Sequence, residues 1–152
     1  MREFAHLGRE NLCELYRYFN DDLDNHLMSK RHAPTLDLDL DGTITEAPKF
    51  FSAWTKSWPG RVVIITYRND REKTIADLKH HEIRYDDLVL VERMDAKAAV
   101  IAEHGVTMYV DDQPEMLKNV PDNVGVMLFR NEGNFDFDDE RWMLSDVTGK
   151  LV

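Results

Sequence analysis

The chain has 152 residues, enough for one compact domain with a real core, and its 43% hydrophobic fraction without low-complexity tracts excludes a disordered polymer. Nineteen basic against 29 acidic side chains leave a formal charge of −10, a field that repels a duplex phosphate backbone, so nucleic acid is not expected as a general partner. The single cysteine, Cys13, excludes an intrachain disulfide, and no apolar run approaches the roughly 20 residues that cross a bilayer, so no membrane partner is expected.

The opening residues lack the apolar stretch of a signal peptide, which makes a cytoplasmic location the expectation. Residues 1–30 read as a helix, because Leu12, Leu15, Tyr16, Phe19, Leu23 and Leu27 recur at steps of three and four. Cys13 reads there as a small apolar residue, and Asp21, Asp22 and Asp24 as a solvated face. The apolar face is a candidate contact for a second copy of the chain, although covering its own sheet is the plainer role. Pro34 ends the helical run.

Over residues 35–130 the pattern changes to strands alternating with helices. The strand candidates are Thr35–Asp39, Val62–Thr66, Leu88–Val91, Thr107–Asp111 and Gly125–Phe129. Asp70 is placed to cap a helix running to His80, and Asp95 one running from Ala96 to His104, with Gly105 at a left-handed stop. A further short helix starts near Pro114, and residues 131–152 form a C-terminal extension. Near-continuous apolar strands such as Val62-Val63-Ile64-Ile65 predict a parallel sheet of about five strands covered on both faces, a three-layer Rossmann-like α/β domain. Ligands of such sheets bind beyond the carboxyl ends of the strands.

At those ends the chemistry collects. The first strand finishes in Asp39-Leu40-Asp41-Gly42-Thr43, the second in Thr66, and the fourth in Asp111-Asp112, while Lys97 opens a helix between them. Buried carboxylates need a cation. Oxygen ligands for a hard divalent ion, beside an ammonium and a hydroxyl, are what phosphoryl transfer requires: they neutralise phosphate oxygens so that an anionic nucleophile can approach.

These residues resemble the haloacid dehalogenase superfamily of phosphatases. Its first motif, Asp-x-Asp-Gly-Thr, matches Asp39 to Thr43; its second, an apolar strand ending in Ser or Thr, matches Val62 to Thr66; its lysine matches Lys97 and its acidic pair Asp111 and Asp112. The resemblance implies that Asp39 is the nucleophile that forms an aspartyl-phosphate, that Asp41 is the general acid/base, and that Thr66 and Lys97 hold phosphate oxygens. It implies Mg²⁺ as cofactor, with Asp39, Asp41, Asp111 and Asp112 as ligands and Asp112 the more direct of the last pair. Gly42, Thr43, Tyr67 and Arg68 are the substrate-binding candidates, although a surface-loop role is the better reading of Arg68. An acid at position 41 favours phosphoester over dehalogenase chemistry. Asp37 departs from the family, which has an apolar residue there.

Only 23 positions separate Thr43 from Thr66, and 31 separate Thr66 from Lys97, so no cap domain fits and the site is open to a bulky substrate or covered by another subunit. The expected substrate is a small phosphorylated molecule, with a nucleotide monophosphate first and a phosphoprotein or polynucleotide end second. A catalytically idle binding domain is the non-enzymatic alternative. A calcium loop is the rival metal site: Asp37, Asp39, Asp41, Gly42 and Ile44 match EF-hand positions, but Pro48 stands where the bidentate glutamate is needed. Trp54, Trp58 and Trp142 read as packing residues, His80 and His81 as a helix end, and the run from Phe135 to Glu140 as a solvated strand or helix start.

Overall fold

The computed structural model describes residues 33–144, so the expected N-terminal helix and the last eight residues lie outside the described residues. Five strands form one all-parallel sheet: β1 (Leu36–Leu38), β2 (Val62–Tyr67), β3 (Asp87–Val91), β4 (Met108–Asp111) and β5 (Gly125–Leu128). Their order across the sheet is β3-β2-β1-β4-β5. Helices α1 (Pro48–Ser57), α2 (Arg71–His80), α3 (Lys97–Glu103) and α4 (Pro114–Leu117) connect them, and a short antiparallel hairpin, β6 (Phe135–Asp136) with β7 (Arg141–Trp142), follows β5.

Alternation along β2 explains the three layers. Val62 and Ile64 pack into a core with Phe51 of α1 and Leu78 of α2, whereas Val63 and Ile65 pack on the other face with Ile101 of α3. Both faces of this strand are dry, which is why its apolar run is unbroken. Asp37 obeys the same alternation. Leu36 and Leu38 join the α1/α2 core, so the residue between them faces the α3 side, fully buried.

Two helix starts separate sound from unsound cap assignments. The Asp70 side chain accepts from the Lys73 backbone N–H at 2.9 Å, as its position before an amphipathic run predicts. Asp95 does not cap. A 3₁₀ turn, Met94–Ala96, leads into α3, and the Asp95 carboxylate is held by Arg93 at 3.0 Å instead. Gly105 takes the left-handed conformation after α3, at φ +62°. The calcium-loop reading fails on the same geometry, because Asp37 belongs to a central strand and Pro48 opens α1. No helix among the described residues is long and apolar enough to cross a membrane.

The strand order fixes where a ligand can enter. From β1 the chain moves outward through β2 to β3, then returns to place β4 on the opposite flank of β1. The loops leaving β1 and β4 therefore diverge, and a crevice opens between them. The sheet that carries this crevice depends on its buried centre. Replacing Ile64, fully buried in β2, by alanine is expected to lower unfolding stability by ~2–5 kcal/mol, read as a reduced urea midpoint at unchanged slope. A loss well below ~1 kcal/mol would contradict a close-packed position there.

Candidate active site

Beyond β1 the Asp39 backbone N–H still donates to Val110 O at 3.0 Å, which locks the residue beside β4 before the chain turns. The turn is made at Gly42, φ +76°. A side chain there would be strained, and its Cβ would also come within 2.6 Å of the Asp112 carboxyl carbon. Glycine thus lets the β1 loop and the β4 loop touch.

The buried polar residues on the α3 face meet at Lys97, the first residue of α3. Its ammonium lies 2.7 Å from Asp111 Oδ2 and 2.9 Å from Asp39 Oδ1, with all three side chains almost completely buried. Burial alone would push the Lys97 pKa down, but the two carboxylates outweigh it and hold the ammonium above the usual lysine value. Asp111 also accepts from the Tyr109 hydroxyl and, through Oδ1, from the Gln113 N–H at 2.7 Å.

One lysine faces more carboxyl groups than it can neutralise. Asp37 accepts one bond, from the Ile65 N–H at 3.1 Å, and its Oδ2 has no partner. Desolvation drives its pKa well above the carboxylate range, with Lys97 opposing and Asp39 and Asp111 adding to the rise. Asp37 is thus a third carboxyl of the same buried group, and its burial favours the neutral form. Desolvation, partly offset by Lys97, likewise pushes Asp39 up to about 7. Asp112 is pushed up to about 6 by the same burial, which its bond from Asn131 resists.

Asp41 and Arg68 form a second pair. Arg68 Nε and Nη2 donate to the two oxygens of Asp41 at 2.6 and 2.5 Å, and Nη1 donates to Asp77 at 2.6 Å. The surface-loop expectation for Arg68 is therefore corrected: these two carboxylates draw the side chain inward, leaving the residue only 7% exposed. Its bonds to Asp41 raise its pKa above the ordinary arginine value despite desolvation. Each of its three nitrogens donates to Asp41 or Asp77, so Arg68 fixes the position of Asp41.

A cavity of about 640 Å³ opens above these groups, within the usual range for a small-molecule site. Asp39, Asp41, Gly42, Thr66, Tyr67 and Asp112, at or just past strand ends, line it together with Lys97 at the start of α3. Thr43, Arg68 and Asp111 are not on its wall, and Thr43 is fully buried with no partner for its hydroxyl. The difference between Asp111 and Asp112 is plain here. Asp111 is engaged by Lys97, Tyr109 and Gln113, whereas Asp112 faces the cavity.

Two asparagines join the site without any motif to mark them in the sequence. Asn131 Nδ2 donates to Gly42 O at 2.7 Å and to Asp112 Oδ2 at 2.9 Å, tying the β1 and β4 loops together. Asn134 Nδ2 donates to Asp112 O at 2.6 Å and to Phe129 O at 2.7 Å, and its Oδ1 receives the Asn131 N–H at 2.9 Å. The signal that could have found them is the strand-end rule itself, since Asn131 follows the fifth strand as Asp39 follows the first.

The donor set fits a hard divalent cation. Asp39, Asp111 and Asp112 each offer one oxygen, and these lie within 4.8 Å of one another. Three buried carboxylates this close, with one lysine, leave excess negative charge that a cation with oxygen ligands would settle. No family model matches this chain, and no curated protein or solved structure matches it either.

The raised carboxyl groups give the metal-free protein an inverted pH profile. An unfolded aspartate titrates near ~4, so above that pH the folded chain binds more protons than the unfolded one and stability falls as pH rises. For Asp39 and Asp112 the loss runs through about 7 and about 6. Asp136, Glu82 and Asp95 are held low, by backbone N–H groups, Lys56 and Arg93 respectively, so their opposite effect falls at more acid pH. Urea unfolding in a chelator is therefore expected to show higher stability at pH 5 than at pH 8. Greater stability at pH 8 would contradict this account.

Proposed function

We propose that the chain is a Mg²⁺-dependent phosphomonoester hydrolase that works through an aspartyl-phosphate on Asp39, as its resemblance to haloacid dehalogenase phosphatases implies. The observation that carries the reading is the convergence of Asp39, Asp111 and Asp112 within 4.8 Å beside Lys97, at the mouth of a parallel sheet. A bound divalent ion, held by Asp39 and Asp112 with Asp111 behind them, would neutralise phosphate oxygens and carboxylate charge.

The chain's own groups would then act in sequence. An Asp39 oxygen forms a bond to phosphorus while the ester bond breaks, and Asp41 gives its proton to the leaving oxygen. Asp41 next takes a proton from water as that water attacks the aspartyl-phosphate, which releases phosphate and regenerates the Asp39 carboxylate. Arg68 grips both oxygens of Asp41, yet each retains a second lone pair, and there the proton regained from water is carried until it is given to the leaving oxygen of the next turnover. Thr66 and Lys97 meet phosphate oxygens from the cavity wall. A nucleotide monophosphate is the first substrate class, and an open cavity also admits a phosphate on a larger molecule.

Turnover of p-nitrophenyl phosphate tests the reading. Activity is expected only with Mg²⁺ and is expected to drop to the buffer background in Asp39→Asn, whose amide cannot serve as the nucleophile. Equal rates for the two proteins would reject the mechanism. Inactivity of the natural chain on every phosphoester would favour a binding domain.

A further inference from the structure

The cations around the cavity differ in what already holds them. Lys97 is bound to Asp39 and Asp111, and Arg68 to Asp41 and Asp77. Arg130 also lines the cavity, and among the described residues it is the one arginine without an oxygen partner. The others reach a carboxylate or a carbonyl: Arg61 and Arg84 do so across strand ends, Arg71 at Leu88 O, Arg93 at Asp95 and Arg141 at Asp139. Two carboxylates share the rim with Arg130, Glu46 and Glu132, and neither pairs with it.

Its neighbours are instead two aromatic rings. The guanidinium carbon lies 4.8 Å from the ring centre of Phe135 and 5.1 Å from that of Phe137. The rings pack edge to face at 5.1 Å, and Phe135 meets Trp142 in the same way. Such cation–π contacts hold a guanidinium in place without supplying an oxygen acceptor for its N–H donors. The backbone is equally fixed, because the next residue is Asn131, which ties the β1 and β4 loops together. An arginine that is oriented, exposed and unpaired beside a cavity is arranged for an anion from outside.

Its distance from the reacting centre selects which anion. Arg130 lies just past the end of β5, a strand that stands about 10 Å across the sheet from β1. It lies at the exposed rim, whereas Asp39 and Lys97 are buried at the floor. We propose that Arg130 forms a second anion subsite, which takes a phosphate or phosphodiester carried by the leaving group of the substrate. The acidic rim residues Glu46 and Glu132 would repel such a group elsewhere and direct it to Arg130. The identity of the reacting end rests on the phosphatase reading; the subsite itself does not.

The measurement is a ratio. Wild type and Arg130→Gln are compared by kcat/KM on a nucleoside 3′,5′-bisphosphate and on the matching 5′-monophosphate. A 5′-phosphorylated dinucleotide serves as a third substrate, so that a phosphodiester is separated from a free second phosphate. Wild type is expected to prefer one of the two doubly anionic substrates, and the substitution to cut that preference roughly tenfold to a hundredfold, the scale of a lost charge-assisted pair. Arg130→Lys, which keeps the charge but not the fork, is expected to retain part of it. The same ratios are read as dissociation constants by calorimetry on Asp39→Asn with and without Arg130→Gln. If no phosphoester is hydrolysed, the phosphatase reading falls while these affinities still decide the subsite. A preference unchanged by Arg130→Gln, in rate and in affinity, overturns the proposal, as does a wild type that does not distinguish the doubly anionic ligands from the monophosphate.

Discussion

The arrangement of this protein turns on an imbalance of charge where the sheet opens. Asp37, Asp39 and Asp111 are buried together, with the Lys97 ammonium in contact with Asp39 and Asp111, and Asp112 stands beside them at the cavity. Burial leaves little water to screen these groups, so each additional carboxylate without a partner is strongly unfavourable. The protein meets this in three ways. Lys97 is clamped between two carboxylates, Asp37 is driven towards its neutral form, and Tyr109 donates its hydroxyl to Asp111. The remaining charge, on Asp39 and Asp112, faces the cavity, where a divalent cation would complete the neutralisation.

The fold supplies the constraint that keeps these groups together. Parallel strands beginning on one side of the sheet must end on the other, and the order β3-β2-β1-β4-β5 sets the β1 and β4 loops diverging from adjacent strands. Left alone, two loops with acidic side chains would move apart. Gly42 allows close approach, and Asn131 bridges the gap with one amide group that serves Gly42 O and Asp112 Oδ2 at once. Stability and site geometry are therefore coupled. The hydrogen bonds that hold Asp112 in place come from a segment that follows the last strand of the sheet.

What could be read from the sequence was whatever local order encodes. The apolar runs gave five strands, Asp70 and Pro114 marked helix starts, and strand ends gathered Asp39, Asp41, Thr66, Tyr67 and Asp112 on one cavity with Lys97 from the start of α3. What escaped depends on partners distant in the chain. Nothing near Arg68 reveals that Asp41, 27 residues earlier, draws it inward. Asp95 has the position of a helix cap, but a neighbouring arginine competes for its carboxylate and wins. Asn131 looks like a loop residue until Gly42, 89 positions away, is found against it. Asp37 could be seen to be unusual, and its explanation required knowing which face of β1 looks at Lys97.

The central claim is that Asp39 and Asp112 share one divalent ion while Lys97 remains between Asp39 and Asp111. Anomalous diffraction from crystals grown with Mn²⁺, a ligand-for-ligand substitute for Mg²⁺, tests it most directly. The account predicts a single strong peak within about 2.3 Å of one oxygen of each of Asp39 and Asp112. An ion bound only elsewhere, or the two carboxyl groups turned apart with no peak between them, would contradict it.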